Sequence, residues 1–148
     1  MIKTKSIVHS VFGVFLLASF SVSAAPLITE KEASLPGTKG ELKTRGIARG
    51  PGIKVISPDP ASAVRGSFDL KVNFESRGGN KIDPASVRVT YLKSPVVDLT
   101  PRLKGAISEN GIDFAKAEVP AGEHSLRITV KDAEGRESNS TITINAQK

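Results

Sequence analysis

The chain has 148 residues and lacks cysteine and tryptophan, which excludes disulfide scaffolds, thiolate zinc centres, cysteine nucleophiles and lipid attachment at cysteine. Its 39% hydrophobic and 24% charged residues are typical of a globular protein. The formal charge of +6 is spread along the chain with both signs interspersed. A nucleic-acid binder would instead cluster Lys and Arg beside stacking aromatics.

Lys3 and Lys5 precede an apolar run of 14 residues from Ile7 to Phe20, followed by Ser21-Val22-Ser23-Ala24-Ala25-Pro26. The run is shorter than the roughly 20 residues of a spanning helix, and small residues follow it. Residues 1–24 therefore read as a signal peptide cleaved after Ala24. A periplasmic or secreted chain with no membrane span is expected. Cleavage would leave 19 basic and 15 acidic residues.

Residues 25–52 show no sustained apolar period and are rich in Gly, Pro, Lys and Arg toward their end. Glycine raises the entropy cost of ordering and proline blocks ladder pairing, so a flexible leader is expected. A short helix over Ile28–Leu35 is conceivable, but one or two isolated turns are marginal in water.

From residue 53 the period changes to two. Ile53 and Val55 open a strand that Pro58-Asp59-Pro60 stops. Phe68, Leu70, Val72 and Phe74 alternate with polar residues, as do Val87, Val89 and Tyr91. Leu126, Ile128 and Val130 repeat the pattern, then Ile142 and Ile144, with weaker candidates at Ala106-Ile107 and Ile112–Val119. Each is a half-buried strand pattern. Arg77-Gly78-Gly79-Asn80, Asn110-Gly111, Pro120-Ala121-Gly122 and Asp132-Ala133-Glu134-Gly135 supply turns between them. About seven strands without an intervening amphipathic helix predict an antiparallel sandwich over residues 53–148.

Ile53-Lys54-Val55-Ile56-Ser57-Pro58, Ile82-Asp83-Pro84-Ala85-Ser86-Val87, Val119-Pro120-Ala121-Gly122-Glu123-His124 and Val130-Lys131-Asp132-Ala133-Glu134-Gly135 together resemble bacterial immunoglobulin-like domains. The resemblance covers residues 53–146 and leaves the leader unexplained. It implies an Ig-like β-sandwich and is nearly silent on function. Relatives of this kind often occur in tandem arrays, whereas here there is one copy.

Catalytic and metal chemistry finds little support. His124 is the one histidine beyond the signal segment, without the partner spacing of a zinc site. Ser125 adjoins it, but strand neighbours point to opposite faces. Asp59, Asp83, Asp132 and Glu134 fall near loops, where aspartate accepts backbone N–H bonds and where calcium is a lesser alternative. No cofactor is implied. In Ser94–Pro101, two prolines bracket Val96, Val97 and Leu99. These three either complete the core or form an apolar patch for a partner.

The expected function is a non-enzymatic Ig-like binding or structural module of the bacterial envelope, contacting another protein or a surface polymer. Its candidate contacts are Val96, Val97, Leu99, Arg45 and Arg49. One rival is a metal-dependent or hydrolytic protein using His124 and the loop carboxylates. Another is a polyanion binder using Arg45, Arg49 and surface lysines, for which affinity would fall steeply with salt.

Overall fold

The computed structural model describes residues 25–38 and 49–148. The expected signal peptide and Arg45 lie outside the described residues. In chain order the elements are β1 (Ala25–Pro26), α1 (Glu30–Ala33), β2 (Gly52–Ser57), β3 (Ala63–Arg65), β4 (Phe68–Glu75), β5 (Ile82–Tyr91) and β6 (Val97–Asp98). They continue with α2 (Thr100–Leu103), a 3-10 turn over Lys104–Ala106, β7 (Ile107–Ser108), β8 (Gly111–Glu118), β9 (Gly122–Asp132) and β10 (Glu137–Gln147).

Two sheets form a β-sandwich. One has the order β1-β8-β4-β2 with β7 also on β8, and the other has the order β3-β10-β9-β5-β6. Every alternating pattern in the sequence becomes a strand with its apolar residues inward. Leu70, Val72 and Phe74 of β4 meet Val87, Val89, Leu126, Ile128, Val130, Ile142 and Ile144 of the opposite sheet in one buried cluster. Ten strands are described instead of about seven, because β1, β3 and β6 are two- or three-residue pieces whose patterns are too short to read.

The turn chemistry is local and explicit. In the β9–β10 hairpin Gly135 sits at φ 78°, and its N–H donates to Asp132 O at 2.9 Å. Glycine populates that left-handed region without the Cβ penalty. Gly111 is constrained by proximity as well: an added Cβ would collide with the Val72 carbonyl of β4. In β5 the Asp83-Pro84-Ala85-Ser86 segment is a bulge, since the pairing with β9 shifts between Asp83 and Arg88. Asp83 Oδ1 accepts from Ala85 N at 3.0 Å, while Ser86 Oγ accepts from Lys131 N at 2.8 Å and donates to Asp83 O at 2.6 Å. These side chains replace the ladder bonds that the bulge removes.

The largest departure from the sequence reading lies in the leader. Residues 25–38 form a strap packed against the sandwich, and Leu27 and Ile28 are 0% and 2% exposed within the core. β1 runs parallel to β8, and Leu27 N donates to Glu118 O at 2.9 Å. Thr29 and Glu32 form a reciprocal capping box that stabilises the single turn of α1. Farther along, Ser94 N donates to Pro36 O at 2.8 Å. Two apolar residues showed no period to detect, yet both fill the seam between sheets. Leu27→Ala is expected to cost about 2–5 kcal/mol of stability in chemical denaturation, as for other buried leucines. A change near zero would mean that the strap is not docked in solution.

Candidate functional site

Besides its backbone pairing and buried side chains, the strap is clasped by Arg102. Arg102 of α2 donates from Nη2 to Glu32 Oε1 at 2.6 Å, and from Nη1 to Glu32 Oε2 at 2.9 Å and Leu27 O at 2.7 Å. Bidentate, charge-assisted geometry of this kind is stronger than an ordinary surface pair. The Arg102 bond holds the Glu32 carboxyl down to about 2 from its ordinary 4.5, with the Thr29 hydrogen bonds adding to it against the cost of burial.

Having one side chain turned to the strap orients the rest of α2. Leu103 is buried in the core, whereas Pro101 and Lys104 face a groove beside the β5 bulge. The groove has a volume of about 640 Å³, with Val87, Pro101 and Ile107 in its apolar lining and Arg88, Asp98 and Lys104 among its charged groups. Thr100 ties its walls together, because its Oγ1 accepts from Val89 N at 2.9 Å while its own N–H donates to Asp98 Oδ1 at 2.9 Å. Hydrogen bonds from Thr100, and then the charge of Arg88, hold the Asp98 carboxyl below its ordinary range.

The residues expected to make contacts are scattered by this geometry. Val96 is 55% exposed, two residues before Asp98 in sequence but not in the groove lining. Val97 is half-buried, pairing with Tyr91 in β6. Leu99 is fully buried and donates its N–H to Val89 O at 2.8 Å, which removes it from any contact surface. Arg49 is exposed, away from the groove lining. The segment Ser94–Pro101 does border the candidate site, but through Asp98, Thr100 and Pro101. Arg88 is a polar position in the strand alternation and Lys104 belongs to no motif; only the fold brings them to the same groove.

The titratable groups with the residue types of a chemical site have structural partners. His124 is 2% exposed; its Nε2 lies 2.7 Å from Pro120 O and its Nδ1 lies 2.8 Å from Tyr91 Oη. A carbonyl only accepts, so Nε2 carries the proton and Nδ1 accepts from the tyrosine hydroxyl. Burial raises the Tyr91 hydroxyl above its ordinary value, and the charge of Glu32 pushes it the same way. Asp132 accepts from Glu134 N, Arg136 N and Arg136 Nε at 3.0, 2.9 and 2.7 Å. Burial would raise its carboxyl, but these bonds prevail and hold it down. Asp59 and Asp83 each accept the backbone N–H two residues on. Among the described residues no three His, Asp or Glu side chains gather as a metal-binding group.

No protein-family model matches this chain, and no curated protein matches it. Among solved structures it is similar to CopC from Methylosinus trichosporium OB3b, with 13% identity over 66% of this chain and 97% of that one, at a TM-score of 0.38. The chemistry of the groove is therefore read from its own residues. Among the described residues no helix is long and apolar enough to cross a membrane.

Two measurements check this account. With a folded pKa near 2 against 4.5, Glu32 contributes stability above pH 4.5 that fades as pH falls toward 2. Hydrogen-exchange protection of the Leu27 amide should therefore drop across that window, and Glu32→Gln should flatten the dependence. Protection unchanged between pH 6 and pH 3 would sink the clasp. His124→Ala should cost about 1–3 kcal/mol beyond its lost packing, by orphaning the Tyr91 hydroxyl and the Pro120 carbonyl. Adding Tyr91→Phe should show coupling between the two sites in a double-mutant cycle.

Proposed function

We propose that this chain is an exported, non-enzymatic binding module of the Ig-like type, which engages another envelope protein at the β5 groove and at the exposed Val96. The Ig-like type is supported by strand order. β2-β4-β8 in one sheet and β10-β9-β5 in the other, with hairpin pairing of β9 and β10, follow the two-sheet arrangement of constant-type immunoglobulin sandwiches. Export is supported by the character of residues 1–24.

The observation that carries the binding role is the groove itself. It combines apolar walls with charged groups at one open edge of the sandwich, and Val96, on the segment that leads to Asp98, is 55% exposed. Such combinations characterise recognition sites. The non-enzymatic reading is supported by His124, both of whose ring nitrogens are engaged within the fold.

Crosslinking the tagged chain in its native envelope, followed by mass spectrometry, tests the proposal. One dominant protein should be captured, and Val96→Ser should reduce its yield several-fold. Ile56→Ser, at the 48% exposed position on the opposite edge strand β2, should leave the yield unchanged. Recovery of bulk envelope material alone, insensitive to either substitution, would overturn the proposal.

A further inference from the structure

The groove also restricts the chemistry of what enters it. A partner strand cannot simply add to the outer edge of β5 there. Pro84 has no N–H, Ala85 N donates to Asp83 Oδ1, and Arg88 Nη1 donates to Ala85 O at 3.0 Å and Val87 O at 2.9 Å. Recognition must then come through side chains. Exposed Pro101 and half-buried Ile107 provide aliphatic surface over the buried Val87. Sugar hydroxyls laid on such surface would lose water without gaining hydrogen bonds, whereas aliphatic side chains gain from it.

The charge at the groove is unbalanced. Asp98 is the one carboxylate in the lining; it accepts from Thr100 N and lies in the field of Arg88. Lys104, exposed in the same lining, forms no ion pair among the described residues. An ammonium group beside aliphatic surface complements a carboxylate flanked by aliphatic side chains.

We infer that the groove binds an extended peptide segment of a partner protein in which Asp or Glu is flanked by aliphatic residues, with the carboxylate at Lys104. This rests on the protein-binding reading and adds the chemistry of the partner.

Random-peptide display against the purified full chain tests it. Selected peptides should be enriched in Asp or Glu next to Val, Leu or Ile, and should perturb the Val87 and Ile107 methyl resonances. Lys104→Glu should weaken them about tenfold, the scale of losing one close charge pair, and raised salt should weaken them too. Selection on Lys104→Glu should recover Lys- or Arg-bearing peptides instead. An unchanged thermal midpoint would show that the variant is folded. No enrichment, enrichment without acidic residues, or affinity unmoved by Lys104→Glu would overturn the inference. So would preferential binding of polygalacturonate. A native protein captured equally well by Lys104→Glu would remove this inference and leave the binding-module reading standing. Acidic peptide selection without any native protein partner would overturn both, since the inference requires a partner protein.

Discussion

The guanidinium of Arg102 joins parts of the chain that are 70 or more residues apart, gripping both carboxylate oxygens of Glu32 and the carbonyl of Leu27. Its effect exceeds that of an isolated ion pair because each contact positions something else. Glu32 caps α1, Leu27 and Ile28 enter the core, and the four residues of α2 are left with fixed directions. One neighbour of Arg102, Leu103, points into the core, while the other, Pro101, lines the groove. A surface pair with mobile side chains contributes little. A bidentate one closing over buried apolar residues acts together with that burial.

The sandwich has edges, and each is treated differently. β8 is covered at one end by β7 and at the other by β1. β10 is flanked by β3, which runs parallel to it after the chain crosses between sheets at Pro58-Asp59-Pro60. β5 is paired with β6 only at Thr90 and Tyr91, and upstream its carbonyls are covered by Arg88. Exposed strand edges invite uncontrolled pairing. Covering the backbone with a side chain removes that hazard and leaves a side-chain surface, so the groove is a consequence of how this edge is protected.

Two polar groups inside the sandwich follow the same economy. His124 and Asp132 stand at inward positions of β9, where the alternation calls for apolar residues. Each is satisfied: His124 by Tyr91 and Pro120, and Asp132 by the N–H groups of its own hairpin and by Arg136. Buried polar atoms without such partners would cost more than the bonds contribute. Both residues bridge one end of β9 to the adjoining loop.

Much of this protein is legible in its sequence alone. Period-two patterning determined the long strands and which residues face inward, because burial of one sheet face imposes alternation on every strand that shares it. Asp132 through Gly135 announced its hairpin through conformational requirements that few residues meet. Short pieces were illegible for the opposite reason: β1, β3 and β6 contain too few residues to repeat a period, and Leu27 and Ile28 stand in a segment whose later composition suggests a tether. The Ser94–Pro101 segment was conspicuous for its valines and leucine, yet Leu99 turns into the core. Arg88 reads only as a polar strand position and Lys104 as a single charge 16 positions away, so nothing in the sequence joins them. Only tertiary structure decided the strap, the Arg102 clasp and the groove, because each depends on side chains distant in sequence meeting where two sheets leave an edge open.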